Sequence, residues 1–456
     1  MAGEGFHAGF EDLRRRDGGA LAVLDIDGGA LLTRDDLARR IDHAAAVVRD
    51  VAPAGGVVPA WFGNSAELLA IVFASWREGR IPMPIDRERS EAEVAAISRS
   101  LGARGVVCDT SWTVRPSEGN SATAIPRDTA VLKLTSGSTG EPRAVAVSES
   151  ALSHGVAQIV STMGLRAEDR NLVTLPLAHS YAFDNVIGVL ATLGAPAVLL
   201  GDLIPRRLRA VLADSGITVW PAVPLLLDVL SRSSARGAAA LGALRLVVSA
   251  GAPLPATVRE AFAKRFGLRP RTFYGATECG GITFDRVGEA DLPDGCVGTP
   301  LDGVRVDLVD ENEGVGRVRV RSASVATGTF PVASPEISEA SLLTADLGRL
   351  DAAGRLHLVG RAVDFVKIHG HRVHPGEIEA VIRRVPGVRD VVVVAQARSD
   401  VVEGLRAVVA AAPGVDREEI LRGCEASLPS YKIPRSIELR DELPRTSRGK
   451  LDRSRL

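Results

Sequence analysis

The chain has 456 residues, with Lys+Arg 55 against Asp+Glu 56 and a formal net charge of −1. That length exceeds what one hydrophobic core usually supports, so two or more domains are expected. The balanced charge gives no reason to expect nucleic acid or an anionic membrane as the main partner.

No apolar run approaches the length of a membrane span. The first residues, MAGEGFHAGFEDLRRRDGG, lack the apolar stretch of a secretory signal. Cys108, Cys279, Cys296 and Cys424 are far apart and form no CxxC pair, which fits free thiols in a reducing compartment. A cytoplasmic protein, large enough to be an enzyme, is the expectation.

In chain order, TRDDLARRIDHAAAVVRD opens with Thr33 as an N-cap and carries apolar residues at helical spacing. VVPAWFG reads as a short strand bounded by Pro and Gly, and AELLAIVFASWREG as the helix after it. AEVAAISRSLGARGVVCD repeats helix then strand. This alternation predicts a mainly parallel α/β architecture. It continues through LVTLPLAHS, VIGVLATLGAPAVLL, RLRAVLADSGITVWPAV and LRLVVSAGAPLP. GVRVDLVDENEGVGRVRVRSASV then changes to period-two alternation with Gly turns, as in antiparallel strands. From about Asp364 a helix (PGEIEAVIRRV), a strand (DVVVVAQA) and a further pair follow. A boundary is placed between Gly360 and Asp364.

The stretch LTSGSTGEPRAVAVS, from Leu134 to Ser148, asks whether it is a turn or a phosphate site. Thr135, Ser136, Gly137, Ser138, Thr139 and Gly140 supply four hydroxyls and two residues free to take positive φ. Such a loop can turn its N–H groups and hydroxyls inward as an anion-binding nest. Arg143 adds a cationic fork suited to phosphate. It is not a Walker A loop, because no Gly-Lys-Ser/Thr follows at the required spacing. Taken alone, such a stretch is an ordinary turn more often than a phosphate site.

Four segments in order change that balance: LTSGSTGEPRAV, FYGATECGGI, TADLGRLDAAGRLHLVGRAVDFVKIHGHRVHPGEIE and LPRTSRGKLDR. Together they resemble the signature of the adenylate-forming superfamily, which comprises acyl-CoA synthetases, peptide-synthetase adenylation domains and luciferases. The resemblance runs from about Val131 to the C-terminus. It implies an α/β fold: a large N-terminal domain of α/β layers with parallel sheets and a small β-barrel-like subdomain over residues 1–361. A small mobile C-terminal α+β domain would occupy 362–456. It also implies the reaction RCOO⁻ + MgATP → RCO–AMP + pyrophosphate, followed by transfer of the acyl group to a nucleophile.

The roles that follow are those the resemblance implies. The loop of residues 135–140 would hold the nucleotide phosphates, with Arg143 where the family usually has Lys. Tyr274 would stack on adenine, with Gly251, Ala252 and Pro253 on the other side of the slot. Thr277 would touch the α-phosphate and Glu278 would bind Mg²⁺, a hard cation that prefers oxygen ligands. Asp346 would bind the ribose hydroxyls, Arg361 would support the nucleotide, and Lys367 would reach it in one domain orientation. Lys450 matches the mobile catalytic lysine, whose ammonium bridges the attacking carboxylate and the α-phosphate. The family's hinge is usually an Asp or Lys two positions after the Arg of GR; here Val363 stands there, with Asp364 one later. Gly370 matches the loop that lines the thiol tunnel. His369, His371 and His374 in HGHRVH match no zinc spacing.

For the acid, His179 lies fifteen positions before Gly194, a spacing that resembles the acyl- and aryl-acid branches, which place a His at the pocket mouth. The Asp that holds an α-amine in amino-acid-activating relatives would fall near Ser180, not at Asp184, so an α-amino acid is disfavoured. Pocket walls are expected from Tyr181, Val223, Pro224 and Ser249, with Ala250, Gly275 and Gly281. Mixed small and aromatic walls suit a compact aryl or short acyl acid. The acceptor is CoA or the phosphopantetheine arm of a carrier protein, with a non-thiol acceptor such as an amine, or an unusual oxyanion, as the alternative. A catalytically silent nucleotide sensor is a third reading, opposed by Glu278, Asp346 and Lys450 together.

Overall fold

Thr33 starts the first long helix as its sequence foretells. Asp36 N donates to Thr33 Oγ1 at 3.1 Å, and Thr33 N donates back to Asp36 Oδ2 at 2.9 Å, so the helix Arg34–Val51 begins with two backbone donors satisfied. The computed structural model describes residues 4–109, 112–117, 125–135, 143–233, 241–288, 292–293, 295–361, 366–368, 371–373, 375–398, 401–428, 432–445 and 455. Two units are formed, one of residues 1–291, 298–306 and 320–342, the other of residues 292–297, 307–319 and 343–456.

In the first unit the expected rhythm of strand and helix is present. Strand Val57–Phe62 is buried along its whole length and runs parallel to Ile81–Asp86, in register from Val57↔Ile81 to Phe62↔Asp86. Its all-apolar sequence reflects a strand covered on both faces. This pairing leaves Asp86 at the carboxyl end of its strand. Helix Ala66–Arg77 follows, capped by Ser65, and its Trp76 Nε1 donates to Ala130 O at 2.8 Å. Trp76 thereby ties the helix to Thr129–Thr135, which pairs antiparallel with Arg143–Ser148.

Among the described residues the largest sheet has nine strands. Its order is Thr299–Pro300, Gly280–Phe284, Arg271–Ala276, Leu246–Ser249, Val219–Ala222, Asn171–Val173, Ala197–Leu199, Leu21–Asp25 and Ala30–Thr33. The six strands from Arg271–Ala276 through Leu21–Asp25 pair in parallel. Their carboxyl ends therefore share one edge, the usual place for a ligand in such sheets. Trp220, Phe262, Leu172, Val247, Leu227 and Leu230 form a buried cluster on this sheet, from which water is excluded.

The second unit includes an antiparallel hairpin that pairs Asp346↔Arg361 through Leu350↔Leu356. It also holds the sheet Val388–Arg398, Val401–Ala411 and Ser436–Arg440, with helices Pro375–Ile382 and Arg417–Ser427. Ile378, Ile382, Leu405, Val409 and Ile420 are buried together there. The strands Arg305–Asn312 and Val315–Arg321 form where period two was read, joined at Glu313 and Gly314, both with positive φ. Among the described residues no helix is long and apolar enough to cross a membrane. All four cysteines are free and buried.

Asp169 braces the parallel strands from the side. It accepts from Thr218 Oγ1 at 2.7 Å, from Arg245 Nε at 2.8 Å and from Arg166 N at 2.7 Å. Burial pushes its carboxyl up, but the Arg245 and Thr218 hydrogen bonds outweigh burial and hold it below the ordinary 3.8. A depressed carboxyl stabilises the fold above its ordinary pKa, and that contribution fades as pH falls through the lower folded value. Asp169→Asn is accordingly expected to cost about 3 kcal/mol at neutral pH in urea unfolding, because it leaves Arg245 without its charge partner. The wild-type advantage should shrink as pH drops below about 4; a pH-independent difference would contradict this account.

Candidate functional site

The segment FYGATECGGI forms a tight hairpin at the edge where the parallel strands end. Strand Arg271–Ala276 meets Gly280–Phe284 with Tyr274↔Thr283, Gly275↔Gly281 and Ala276↔Gly280 opposed. A Cβ at Gly275 would lie 2.5 Å from Gly280 O, and one at Gly281 would lie 2.7 Å from Leu301 and 2.9 Å from the Phe273 ring. Gly280 has φ +69. Glycine is thus required by crowding at two positions and favoured by backbone angle at the third.

This crowding throws Thr277 and Glu278 into the turn, and the turn is pinned. Cys279 N donates to Ala276 O at 3.1 Å, Ala326 N to Glu278 O at 2.8 Å, and Ser324 Oγ to Cys279 O at 2.8 Å. Tyr274, Thr277 and Glu278 are half-buried, and Gly275 is exposed. Burial pushes the Cys279 thiol far up, which leaves it a protonated packing group rather than a nucleophile.

On the neighbouring strand, Ser249 is fully buried at the carboxyl end, and its Oγ has no hydrogen-bond partner among the described residues. Ala250 N donates to Ala222 O at 3.1 Å, so the chain past Ser249 follows the next strand outward. Gly251, with φ +82, then turns it, and Gly251, Ala252 and Pro253 are exposed. A Cβ at Gly251 would sit 3.8 Å from Val223, the residue before the helix Pro224–Arg232. Val223, Ser249, Ala250 and Gly251–Pro253 thus share one edge with Tyr274–Glu278.

Tyr181 faces the same strands. Its hydroxyl donates to Val248 O at 2.9 Å and its ring stacks on Phe273 with centroids 5.4 Å apart. Burial holds the phenol well above its ordinary pKa, so it acts as a neutral donor. His179 stands at the N-cap of the short helix Ser180–Ala182, with side-chain exposure of 37%. Its Nε2 lies 3.1 Å from Asp86 Oδ2, and Asp86 is 7% exposed. A carboxylate accepts there, so Nε2 carries a proton and donates it to Asp86. Asp86 did not emerge from the sequence; its only signal is its place at the carboxyl end of a parallel strand. Asp184, which the sequence puts four residues past Ser180, is paired with Lys133.

Thr135 and Arg143 face each other across their strands, with Thr135 Oγ1 at 3.5 Å from Arg143 O. They hold the two ends of the Gly/Ser/Thr loop. Ser136, Gly137, Ser138, Thr139 and Gly140 lie outside the described residues, as do Val363, Asp364, His369, Gly370, His374 and Lys450. Lys367 is on the strand Val366–Ile368, paired with His371–Val373, and its side chain also lies outside them. In the second unit Asp346 and Arg361 are brought together: Arg361 Nε donates to Asp346 Oδ1 at 3.1 Å. Asp346 N donates to Thr344 Oγ1 at 3.1 Å, which fixes the backbone beneath the carboxylate. Among the described residues no group of three or more His, Cys, Asp or Glu could hold a metal ion by itself.

Residues 112–330 match the AMP-binding enzyme family, and residues 377–450 match the AMP-binding enzyme C-terminal domain. The chain belongs to the AMP-binding enzyme family. It is an AMP-forming enzyme of the acyl-CoA synthetase kind, and the superfamily suggested by its four ordered segments is the one it belongs to. Among curated relatives, it is 26% identical over 458 residues to a feruloyl-CoA synthase of Amycolatopsis sp, with 93% of each chain covered. Two solved structures share its fold. ATP-bound MatB from Rhodopseudomonas palustris has a TM-score of 0.86 at 23% identity, covering 100% of this chain and 98% of that one. The amide bond synthetase McbA from Marinactinospora thermotolerans has a TM-score of 0.86 at 24% identity, covering 99% and 98%.

The hairpin of this AMP-binding enzyme is testable apart from its chemistry. Gly275→Ala drives a methyl into the Gly280 carbonyl, and overpacking of that kind costs about 1–3 kcal/mol. A lowered thermal midpoint is expected; an unchanged one would show that the hairpin has room to spare.

Proposed function

We propose that this enzyme activates a small aryl or short acyl carboxylic acid with ATP as the acyl adenylate, releasing pyrophosphate, and passes the acyl group to the thiol of CoA or of a carrier-protein phosphopantetheine arm. The observation that carries this reading is the shared edge of the parallel strands. There the pinned Tyr274–Glu278 turn and the exposed Gly251–Pro253 segment share the carboxyl ends of the strands against which Tyr181, two residues past His179, packs.

In this reading the loop of residues 135–140 and Arg143 hold the phosphates, while Tyr274 and residues 251–253 sandwich the adenine. Asp346, supported by Arg361, takes the ribose hydroxyls, and Lys367 reaches the nucleotide in one orientation of the C-terminal domain. Thr277 donates to the α-phosphate. Mg²⁺, when bound, supplies charge to the phosphate oxygens, and the single half-buried carboxylate of Glu278 suits a cation that takes few protein ligands beside substrate phosphates. The acid enters past His179 against Tyr181, Val223 and Ser249, with Ala250, Gly275 and Gly281 completing the wall. Residues 1–361 form the catalytic core and 362–456 the mobile lid that brings Lys450 to the reacting carboxylate, in a cytoplasmic enzyme.

The chemistry needs this cationic set because a carboxylate must approach an anionic phosphate, and charge stabilisation that matters is the part made only in the transition state. Val363 at the usual hinge position favours, as a second reading, transfer of the activated group to a non-thiol acceptor such as an amine.

The test is pyrophosphate release from MgATP across aryl, short-chain, long-chain and amino acids, with and without CoA. Release that depends on a compact acid and is accelerated by CoA is expected; release indifferent to CoA would rule out CoA and leave a carrier-protein arm or the non-thiol acceptor, and silence across the panel would overturn both readings. With the responding acid, Lys450→Ala should lower adenylation at least about a hundredfold yet leave use of pre-formed acyl adenylate largely intact. Equal loss of both steps would remove Lys450 from this role.

A further inference from the structure

A buried ion pair lies beneath the proposed site and takes no part in the reaction as written. The strand Thr129–Thr135 reads TAVLKLT, and Lys133 is its one charged residue. Its Nζ lies 2.5 Å from Asp184 Oδ1, and the two side chains are 3% and 6% exposed. Nζ also donates to Ser180 Oγ at 3.3 Å, and Ser180 Oγ reaches Asp184 Oδ2 at 3.4 Å. The ammonium stands 5.4 Å from the centroid of the Phe183 ring.

Three segments that carry site residues meet at this pair. Along the strand, side chains two apart share a face, so Lys133 points to the same side as Thr135, the first residue of the phosphate loop. Ser180 follows His179 directly, and Asp184 lies one helical turn on. A Cβ at Gly280, two residues after Glu278, would lie 3.7 Å from Asp184 Oδ2. An ion pair in a dry interior gives little or no stability over apolar side chains of the same volume, because both charges lose their water. What it does give is direction: an ammonium with fixed acceptors defines where its neighbours stand, which apolar packing does loosely.

We propose that the Lys133–Asp184 pair, bridged by Ser180, is a positioning element for adenylation. It holds the root of the phosphate loop, the His179 helix and the Glu278 turn in one geometry, and neither residue touches the substrate. The proposal rests on the reading of this site as an adenylating one, and its test has an arm that does not need activity.

Lys133→Met/Asp184→Leu removes both charges at similar volume. The expected result is an unchanged or higher thermal midpoint, with faster amide hydrogen exchange in peptides spanning 129–135, 179–184 and 276–280. With the acid that responds in the wild type, kcat should fall at least about tenfold while KM for ATP moves less than about threefold, as loss of orientation rather than of binding requires. Wild-type exchange would overturn the proposal, and so would faster exchange with an unchanged kcat, which is what a purely structural pair would show. If the double variant does not fold, Ser180→Ala keeps both charges and removes only the bridge; faster exchange with lower kcat supports the proposal, and wild-type values of either overturn it. A wild-type enzyme silent toward every acid would count against the adenylating reading alone, and the exchange data would still decide whether the pair positions the three segments.

Discussion

The close approach of strand Arg271–Ala276 to Gly280–Phe284 is the constraint on which the site side of the first unit depends. With a Cβ at Gly275 only 2.5 Å from the Gly280 carbonyl, nothing but glycine lets the strands meet at this point. The reversal that follows is too tight to bury Thr277 and Glu278, so both end half-buried at the carboxyl edge of the parallel strands. Hydrogen bonds from Ala326 N and Ser324 Oγ to the turn's carbonyls keep it there. The edge inherits its other members in the same way: Ser249 and Ala250 because their strand stops, Gly251 because φ +82 turns the chain outward.

Charge distribution then separates the lysines and arginines by task. Lys133 is neutralised by Asp184 and buried, so it contributes little field at the edge itself. Arg245 is occupied by Asp169, and Arg361 by Asp346. In the proposed reaction Arg143 at the loop, Lys367 and Lys450 in the C-terminal segment, and Mg²⁺ when bound, offset the repulsion between the two anions. A lysine that arrives only for the chemical step stabilises the transition state without holding the ground state, which is where binding energy raises kcat.

Much of the fold was legible in local pattern. Thr33 announced a helix start, and VVPAWFG a short apolar strand bounded by Pro and Gly. These are near-neighbour effects, and a sequence carries them openly. Asp86 and Lys133 were not legible, because their meaning comes from partners 93 and 51 residues away. A lone Asp after a strand and a lone Lys inside one look like a solvated end and an interrupted core until the parallel register brings His179 and Asp184 against them. The π-helix Phe183–Gly188 was likewise invisible, since its apolar residues fit ordinary helical spacing. The strand order of the large sheet is set by crossovers that the rhythm of elements does not encode.

The central claim is that a carboxylate attacks the α-phosphate. The most direct measurement uses the responding acid with ¹⁸O in its carboxylate, followed by mass analysis of the nucleotide after the acyl group has moved on. The account predicts AMP carrying one ¹⁸O, because the oxygen bridging acyl carbon and phosphorus leaves with the phosphate. Unlabelled AMP, or ADP in place of AMP, would contradict it.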